Sequence, residues 1–539
     1  MHKSRLLAAT SVIATTILIG SSLPAQAPGL RLFSPLGPNQ TQLVDGQGTV
    51  VHAWPGLLSV SAHMEADGTL IRGIVDPGIA LPGTTGRLER MNFDGTVTWD
   101  VIISDATRFM HHDIEPMANG NVLVIVADRD TPADAIANGR DPALVSGTDW
   151  FPDAILEIQQ TGPNTGQVVW EWHQRDHVIQ DFDITKPNYG VVGGHPELMD
   201  INFPPAMVGN GDWNHANGLT YDPINDWVMI SYRSQSEILL IDHSTTTAEA
   251  AGHTGGARGK GGDILWRWGN PQSYDVPNGR QMLNVQHDPI FIPPGFPGEG
   301  NITIFNNDAV PGFMSAVIEI ELPVDVSGSP FIDPLRGEFG PSTGVWRFAE
   351  FGFYSAFVSG AQRMRNGNTL ICSGQQGRMF EVTPAGQTVW SYQEPGGNFV
   401  FQCKNIERRL WTDVNEIPVA GGPINFHHVF DTSLAGESYL LLGSFTGSTP
   451  GITLVPGVVL PLNLDALLNA ILVFPNSPTF VNTMGTIGVT GRADSTVIVP
   501  PGELFPALIG WQLEFAHIVF DSFGTPIEAS PPTVIKIVQ

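Results

Sequence analysis

The sequence predicts an all-β fold: a six-bladed β-propeller followed by a small C-terminal β-sandwich-like domain. A short motif containing tryptophan recurs six times before residue 411. Only 15% of the 539 residues are charged, whereas 60 are glycine and 43 are proline. After residue 411 the motif stops, although alternating polar and apolar residues continue to Gln539. Low charge with many turn residues is typical of short strands joined by tight turns.

The recurring motif consists of a turn residue, then a β-branched residue or leucine, then tryptophan. Its six copies read GTVVHAW (48–54), GTVTW (95–99), GQVVWEW (166–172), GDILWRW (262–268), GVWRF (344–348) and GQTVWSY (386–392). Further strand patterns follow most copies, at a period of roughly 40 residues plus insertions, which is typical of a β-propeller. Tryptophan is expected to pack between blades. Seven blades is the main rival count, because a closing strand is hard to assign.

The net charge argues against one class of partner, and the N-terminal residues predict the location of the protein. A formal charge of −27 argues against nucleic acid, since phosphate binding needs clustered Lys and Arg. Residues 1–27 are predicted to be a secretory signal peptide, in which a basic start and a short apolar run precede Ala25–Ala27. No later stretch is long and apolar enough for a membrane span. The mature protein is therefore expected to be periplasmic or secreted, where Cys372 and Cys403 could pair.

The end of the chain is predicted to form its own unit. The propeller is assigned to residues 31–411, a linker or closing segment to residues 412–435, and the β-sandwich-like domain to residues 436–539. Alternation such as that of Gln512–Phe515 indicates strands with one wet face, and one short helix is expected near Asp465–Leu472. This tail is expected to bind the cell surface or another protein, or simply to cap the propeller.

Three histidines occupy matching places at the start of successive strands. His112 stands eight residues before the turn glycine Gly120, and His215 and His287 precede the corresponding strands of the next two blades. Rotation about the central axis relates such positions, so we expect the three imidazoles to converge at one mouth of the channel. Histidine titrates near neutrality, which suits it to act as nucleophile, base or cation. The corresponding residue of the fifth blade is Ser359.

Other polar residues are expected beside these histidines. Asn217 lies two residues after His215, so in a strand it would point to the same side and could donate to an oxyanion. Arg233 follows the second strand of the same blade, and its guanidinium could hold a sulfate or phosphate group through two donors. An ion pair at the surface or between blades is the alternative for Arg233. His111 is expected to face the other way and to be structural.

Five stretches around these residues carry a family resemblance: HHDIEPMANGNVL, DWNHANGLTYDPINDWVMISYRSQSEILLID, ILWRWGN, NVQHDPI and RMRNGNTLICS. They resemble bacterial arylsulfate sulfotransferases, over roughly residues 31–411. The resemblance implies an exported six-bladed propeller that moves a sulfuryl group from an aryl sulfate to a phenolic acceptor without a nucleotide donor. In that family the reaction runs through a transient sulfohistidine in a central pocket, and it needs no cofactor and no metal.

Carried over residue by residue, the resemblance implies that His215, Asn217, Arg233 and His287 line the sulfate pocket. The catalytic candidates are therefore His215, His287 and His112, and the substrate-binding candidates are Asn217 and Arg233. A neutral imidazole would attack sulfur while cationic groups neutralise the developing charge, and a second histidine would deprotonate the acceptor phenol.

One position departs from the family pattern. The resemblance places the sulfuryl-carrying histidine where the register puts Ser359. Either His112 or His287 takes that role, or the reaction differs, or the chain is a non-catalytic binding or scaffold propeller. Two further alternatives are a zinc ion bound by His112, His215 and His287, since three imidazoles suit zinc, and a quinone-dependent dehydrogenase, in which tryptophan-containing blade repeats also occur.

Overall fold

A computed structural model of the chain describes residues 26–76, 81–204, 211–325, 330, 332–333 and 337–539. Within these residues strands dominate, and helices are few and short. The all-β prediction is therefore confirmed. The predicted signal peptide lies outside the described residues except for its last two positions. No helix in the described ranges is long and apolar enough to cross a membrane.

Six four-stranded antiparallel sheets contain most of the strands described up to residue 406. We number them 1 to 6 in chain order of their outer strands. Their strands, from the inner to the outer edge, are Phe399–Ile406, Leu30–Leu36, Gln40–Val44 and Val50–Pro55 in sheet 1; Ser59–Met64, Leu70–Val75, Gly86–Met91 and Val97–Ile102 in sheet 2; Arg108–Pro116, Val122–Asp128, Asp153–Gly162 and Thr165–His173 in sheet 3; Ala216–Asp222, Trp227–Tyr232, Glu237–Asp242 and Trp266–Trp268 in sheet 4; His287–Phe291, Ile302–Val310, Met314–Ile320 and Trp346–Phe348 in sheet 5; and Gly360–Arg363, Thr369–Ser373, Arg378–Val382 and Thr388–Gln393 in sheet 6.

The inner strands of these sheets contact one another in a closed series. Contacts run from the inner strand of sheet 1 to that of sheet 2 and onward to sheet 6, whose inner strand contacts that of sheet 1 again. Sheet 1 combines two distant parts of the chain, because strand Leu30–Leu36 pairs antiparallel with strand Phe399–Ile406. Equivalent inner-strand positions therefore face a common axis, which makes the fold propeller-like.

The repeated tryptophans join each sheet to the next. Their indole N–H groups donate to backbone carbonyls of the following sheet or its loops at 2.8–3.0 Å, and the last bond returns to sheet 1. The pairs are Trp54 with Asn92, Trp99 with Thr165, Trp172 with Gly262, Trp266 with Gly340, Trp346 with Pro384, and Trp390 with Gly46. Each large ring buries apolar surface between two sheets, and its N–H has a hydrogen-bond partner. Both parts of the side chain therefore stabilise the contact between the sheets. This geometry explains why the motif recurs.

Beyond residue 406 the chain forms two further sheets whose apolar side chains, such as Ile424 and Phe515, share one core. The strands are Leu410–Thr412, Gly422–Val429, Arg492–Val499 and Phe480–Val481 in the first, and Glu416–Pro418, Thr533–Val538, Gln512–Phe520, Ser438–Ser444, Met484–Thr486 and Pro526–Ala529 in the second. Strand Gly422–Val429 lies inside the stretch 412–435 that was expected to be a linker or closing segment, so part of that stretch belongs to a sheet. The division into domains stays a prediction.

The short helix expected near Asp465–Leu472 is present as Ala466–Val473. Asp465 caps it by accepting hydrogen bonds from the backbone N–H groups of Leu467 and Leu468. The other described helices are Pro132–Ala137 and Thr247–Ala250, with 3₁₀ turns at Pro142–Leu144, Gln174–Asp176, Val192–Gly194, Pro271–Tyr274, Gly374–Gln376, Thr432–Leu434 and Pro506–Leu508. Minor strand pairs join Val178–Ile179 to Met199–Asp200, Ile332–Asp333 to Glu338–Phe339, and Ile452–Val455 to Val458–Leu460.

The two cysteines, whose pairing the sequence leaves open, are both free. Cys372 and Cys403 lie buried in one apolar cluster of sheets 1 and 6. Burial raises the pKa of Cys403 to about 12. Both side chains therefore behave as small apolar core residues rather than as reactive thiols.

A buried histidine pair in the C-terminal sheets makes stability depend on pH. The hydroxyl of Ser495 donates to the carbonyl of Asn482, so it accepts from Nε2 of His428 at 2.8 Å. Nδ1 of His428 lies 3.1 Å from Nδ1 of His517. Burial, and then the charge of His427, lowers the pKa of His428 to about 3. Because histidine in an unfolded chain titrates near 6.5, the unfolded state binds a proton below that pH which the folded state does not.

We therefore expect acid to destabilise the protein as pH falls from 6.5 towards 3. His428 alone should lower the free energy of unfolding by about 2 kcal/mol between pH 8 and pH 5. Urea titrations at several pH values measure the slope of the free energy of unfolding against pH. In His428→Gln this slope should correspond to about one bound proton fewer. His195, which is exposed, provides the control His195→Gln, which removes a histidine without changing the buried pair. A His428→Gln slope equal to that of the control would contradict the expectation.

Candidate active site

The three histidines of the repeat lie close together on or beside the inner strands of sheets 3, 4 and 5. His112 lies within its strand at a bulge, whereas His215 directly precedes its strand and His287 begins its strand. The rings of His112 and His215 are 4.7 Å apart between centroids and nearly perpendicular, at 75°. Phe401, on the inner strand of sheet 1, has its ring centroid 5.8 Å from that of His112 and 6.4 Å from that of His287. All three histidines are buried. The structure thus brings together the residues that the repeat predicted would converge.

Each of these histidines lies where an inner strand departs from regular geometry. The backbone φ angle is 54° at His112, 56° at His215 and 50° at Asp288, which directly follows His287. Positive φ angles are uncommon outside glycine and cost on the order of 1–3 kcal/mol each. Such strain persists only where the surrounding structure holds it, and it clusters at functional sites.

His215 forms a carboxylate–imidazole pair. Its Nδ1 lies 2.7 Å from Oδ2 of Asp212. Burial works to raise the pKa of Asp212, but the hydrogen bond from His215 and the charge on that ring outweigh burial and lower it below its usual value. The carboxylate therefore accepts the Nδ1 proton, and Nε2 has no hydrogen-bond partner among the described residues. This arrangement orients an imidazole for proton transfer.

His112 ends a chain of three hydrogen-bonded groups. Nε2 of His111 lies 3.0 Å from Oδ1 of Asp153, and Nδ1 of His111 lies 2.9 Å from Nδ1 of His112. If the carboxylate accepts from His111, His111 in turn accepts from His112. Burial and then the neighbouring histidines hold the pKa of His112 well below its usual value. The expectation that His111 faces away was wrong, because a bulge between Met110 and Ile114 breaks the alternation of the strand.

His287 is held at both ring nitrogens. Its Nδ1 lies 2.7 Å from Oδ1 of Asn307, whose Nδ2 donates to the carbonyls of Ser355 and Val358. These bonds fix the amide, so Nδ1 of His287 must carry the proton and Nε2 the lone pair. The backbone N–H of Val358 approaches that lone pair at 3.2 Å. Burial, and then the charge of Arg233, lowers the pKa of His287 to about 3, so this ring is neutral at physiological pH.

The two predicted substrate-binding residues lie in different surroundings. Arg233 is near enough to lower the pKa of His287 and that of His112. Burial lowers the pKa of Arg233 itself, whereas the charges of Asp212 and Asp308 raise it. Asn217 is fully buried and donates one N–H to the carbonyl of Gln286 at 2.8 Å. If Asn217 donates to an oxyanion as predicted, it must therefore use its second N–H.

Ser359, where the register placed the expected carrier, belongs to the scaffold. Its hydroxyl donates to Oγ of Ser355 at 2.8 Å and accepts from the backbone N–H of Gly374 at 2.9 Å. The backbone is strained here as well, with φ angles of 52° at Val358 and 92° at Ser359. Ser359 thus helps to hold the Val358 N–H against His287 rather than presenting a reactive group.

A second polar layer follows the histidines along the same inner strands. Asp113 accepts from Nε2 of Gln402 at 2.7 Å, and Asp288 accepts from Nζ of Lys404 at 3.0 Å. Burial raises the pKa of the nearby Glu115 to about 7. Glu115 and Lys404 also line a cleft of about 650 Å³, which none of the three histidines lines. The histidine cluster is therefore a distinct site from this cleft.

The alternative of a zinc ion at the axis is not supported. Among the described residues, one group of three potential ligands has all its ligand atoms within 4.8 Å of one another, and it does not include His112, His215 or His287.

Comparison with known proteins gives the family. The sequence pattern described as Arylsulfotransferase (ASST) matches residues 38–316, just over half of the chain. The chain belongs to the arylsulfotransferase family. The matched range contains His112, His215, Arg233 and His287, and it ends before Ser359. The family resemblance predicted from the motifs is confirmed.

Similarity of this arylsulfotransferase-family chain to solved structures is distant. A protein of unknown function from Bacteroides caccae is 13% identical, with a TM-score of 0.40, and the match covers 70% of this chain and 99% of that one. The periplasmic gluconolactonase PpgL from Pseudomonas aeruginosa is 12% identical (TM-score 0.33, 70% and 99% covered). Apo AztD from Citrobacter koseri is 9% identical (TM-score 0.32, 70% and 97% covered). No curated protein matches the chain.

Proposed function

We propose that this arylsulfotransferase-family protein transfers a sulfuryl group from an aryl sulfate donor to a phenolic acceptor. The histidine pocket at the propeller axis carries out the transfer without a cofactor. One observation carries the proposal: His112, His215 and His287 lie together near Arg233, with the tautomer of each ring set by a hydrogen-bond partner. The neutral imidazoles of His112 and His287, near the guanidinium of Arg233, match the chemistry of a tetrahedral anion.

The proposed organisation follows from the same arrangement. The six sheets are the blades of an exported propeller that spans residues 31–411, after a signal peptide at residues 1–27. Residues 412–435 connect it to a C-terminal β-sandwich-like domain at residues 436–539. The tail domain binds the cell surface or another protein, or caps the propeller.

His287 is the nucleophile in this proposal. Its pKa of about 3 and its bond to Asn307 leave a lone pair on Nε2 at neutral pH. Nε2 attacks the sulfur of the donor, a nitrogen–sulfur bond forms, and the bond from sulfur to the aryl oxygen breaks with its electron pair leaving on the phenolate. The acceptor phenolate then attacks the same sulfur and restores His287. Because Nδ1 keeps its proton, the sulfated ring is a good leaving group.

His215 and Asp212 move the protons. The carboxylate of Asp212 stabilises a protonated His215, which gives its Nε2 proton to the departing phenolate and then takes a proton from the acceptor phenol. The ring of His112 packs against His215 and helps to fix its orientation.

Two groups balance the charge on the sulfuryl oxygens. Arg233 supplies the cation. The N–H of Val358, 3.2 Å from Nε2 of His287, loses that acceptor once the nitrogen is sulfated and can then donate to a sulfuryl oxygen. Both interactions strengthen as the transition state forms, which is the requirement for catalysis rather than binding alone.

A non-catalytic binding propeller is the second candidate. Two observations favour it: Nε2 of His287 already accepts a hydrogen bond from Val358, and a serine occupies position 359. In this case the cluster would hold an anionic aryl ligand without breaking a bond.

Incubation with 4-nitrophenyl sulfate, with and without phenol, separates these candidates. Transfer predicts nitrophenolate release that phenol accelerates, together with formation of phenyl sulfate. With donor alone, mass spectrometry should find one added sulfuryl group on the peptide that contains His287. Absence of nitrophenolate under both conditions, with donor binding detected by calorimetry, would favour the binding propeller instead.

A further inference from the structure

A second cluster of histidines and a carboxylate lies away from the axis, beside the outer strands of sheets 3 and 4. His177 follows the 3₁₀ turn Gln174–Asp176, which continues from the outer strand of sheet 3. His253 and Asp263 stand at the two ends of a glycine-rich loop that precedes the outer strand of sheet 4. One ligand atom from each of the three residues lies within 4.8 Å of the other two.

The hydrogen bonds of His177 leave two acceptors facing each other. Its Nε2 lies 2.7 Å from the carbonyl oxygen of Ala250, and a carbonyl can only accept, so Nε2 carries the proton. Nδ1 then holds a lone pair in the neutral ring, yet it lies 2.9 Å from Oδ1 of Asp263. Two lone pairs at that distance repel each other unless a cation lies between them. That cation is either a proton, bound to His177 or to Asp263, or a metal ion.

The surroundings of His177 match those of a metal-ligating histidine. Such a ring characteristically donates its other N–H to a backbone carbonyl or a carboxylate, which fixes the tautomer. The ring of Trp172 stacks on His177 with centroids 5.5 Å apart and planes at 4°, and Trp172 donates to the carbonyl of Gly262 at 2.8 Å. A side chain on Gly262 would collide with Nε2 of His177. The ligand is therefore buried and held in one orientation.

The third ligand is placed to let an ion enter. His253 has 61% of its side chain exposed, whereas His177 is fully buried and Asp263 is 9% exposed. Nδ1 of His253 lies 2.7 Å from Oδ1 of Asp263. These separations are those of hydrogen bonds, and small movements of the exposed ring of His253 and of the Asp263 carboxylate would accommodate an ion at the usual distance of about 2.0–2.2 Å.

We propose that His177, His253 and Asp263 bind one divalent transition-metal ion, with zinc the best match and water in the fourth position. Two imidazoles and one carboxylate are ligands that zinc accepts in a tetrahedral site. The ion fastens the loop of residues 252–262 to the turn after sheet 3. The loop gains order from this clip because several of its glycines have positive φ angles, which give the free chain many conformations.

Metal content tests the proposal directly. After incubation with zinc and dialysis, the full chain should retain one zinc per molecule by plasma mass spectrometry, and His253→Ala should retain none. His253 is exposed, so its removal leaves the core intact. His195→Ala is the matched control, because His195 also pairs with a surface carboxylate, Glu197, at 3.0 Å, and it should keep the zinc.

Two further measurements report on geometry and on the loop. Cobalt in place of zinc should give the strong visible absorption of a tetrahedral site, and this signal should vanish in Asp263→Asn. Zinc should also slow tryptic cleavage after Arg258 and Lys260 in the unchanged protein but not in His253→Ala. A chain that binds no zinc, or a His253→Ala variant that binds it as well as the unchanged protein, overturns the proposal; a proton shared by His177 and Asp263 then explains their contact.

Discussion

Sulfuryl transfer is expected to fall by on the order of 10⁴-fold or more in kcat/KM when His287 is replaced by asparagine. The amide nitrogen of asparagine takes the place of Nδ1, so it can still donate to Asn307, but no atom replaces the nucleophilic Nε2. The substitution therefore removes the reacting atom while it keeps the hydrogen bond that holds the side chain. The loss should appear mainly in kcat, since Arg233 still binds the sulfate group.

The matched comparison is His215→Asn, which keeps a donor to Asp212 in the same way. Because His215 moves protons, this variant should slow turnover less, by about 10²–10⁴-fold, and should still form a sulfated His287 from the donor alone. Mass spectrometry after incubation with nitrophenyl sulfate measures that intermediate. If His215→Asn abolishes the sulfated peptide and His287→Asn does not, the nucleophile is His215 and the assignment is wrong.

The sequence could predict which histidines meet, because the repeat carries that information. His112, His215 and His287 hold similar places before successive strands, and a propeller-like ring converts equal places into neighbours. The structure also explains why tryptophan recurs. In every sheet its N–H donates a hydrogen bond to a carbonyl of the next sheet or its loops.

The partners of these histidines could not be predicted in the same way. Asp212 is only three residues from His215, but the contact depends on a φ angle of 56° at His215 that no pattern of residue types announces. His111 was assigned to the opposite face because strands alternate, and the bulge in its strand cancels that rule. Asn307 reaches His287 across a strand pair, so its role follows from register rather than from local sequence.

At position 359 the register argument holds, but it cannot give the role of the side chain. Ile114 pairs with Val124 and Ala361 pairs with Ile371, so the inner strands of sheets 3 and 6 keep the same spacing from Gly120 and Gly367. Ser359 bonds Ser355 and Gly374 of the scaffold, so the sulfuryl carrier is better sought among the histidines that the structure brings together. Residues 412–435 were likewise judged by where the tryptophan repeat ends, although strand Gly422–Val429 follows its last copy.

A buried ion pair joins sheet 1 to sheet 6 where the ring closes, and its removal should cause a large loss of stability. Arg31, on strand Leu30–Leu36, lies 3.1 Å from Glu381 of sheet 6, and both side chains are fully buried. The same carboxylate accepts from the backbone of Ala27 and from Asn368. Arg31→Met is expected to lower the free energy of unfolding by about 3–5 kcal/mol, because it leaves a buried charge without its counter-ion.

Urea unfolding of paired variants tests that ring-closure argument. In Arg31→Met/Glu381→Gln the unpaired charge is gone, so part of the lost stability should return, which a double-mutant cycle measures. Arg365→Met removes an exposed pair with Glu407 (3.3 Å apart, Arg365 59% exposed) and should cost less than about 1 kcal/mol. If Arg31→Met costs no more than Arg365→Met, backbone pairing between strands Leu30–Leu36 and Phe399–Ile406 holds the ring closed without the ion pair. If it costs several times more, the two ends of the propeller-like region are joined by charge as well as by strand pairing, and the ion pair helps to stabilise the sheet that carries Phe401 beside the histidines.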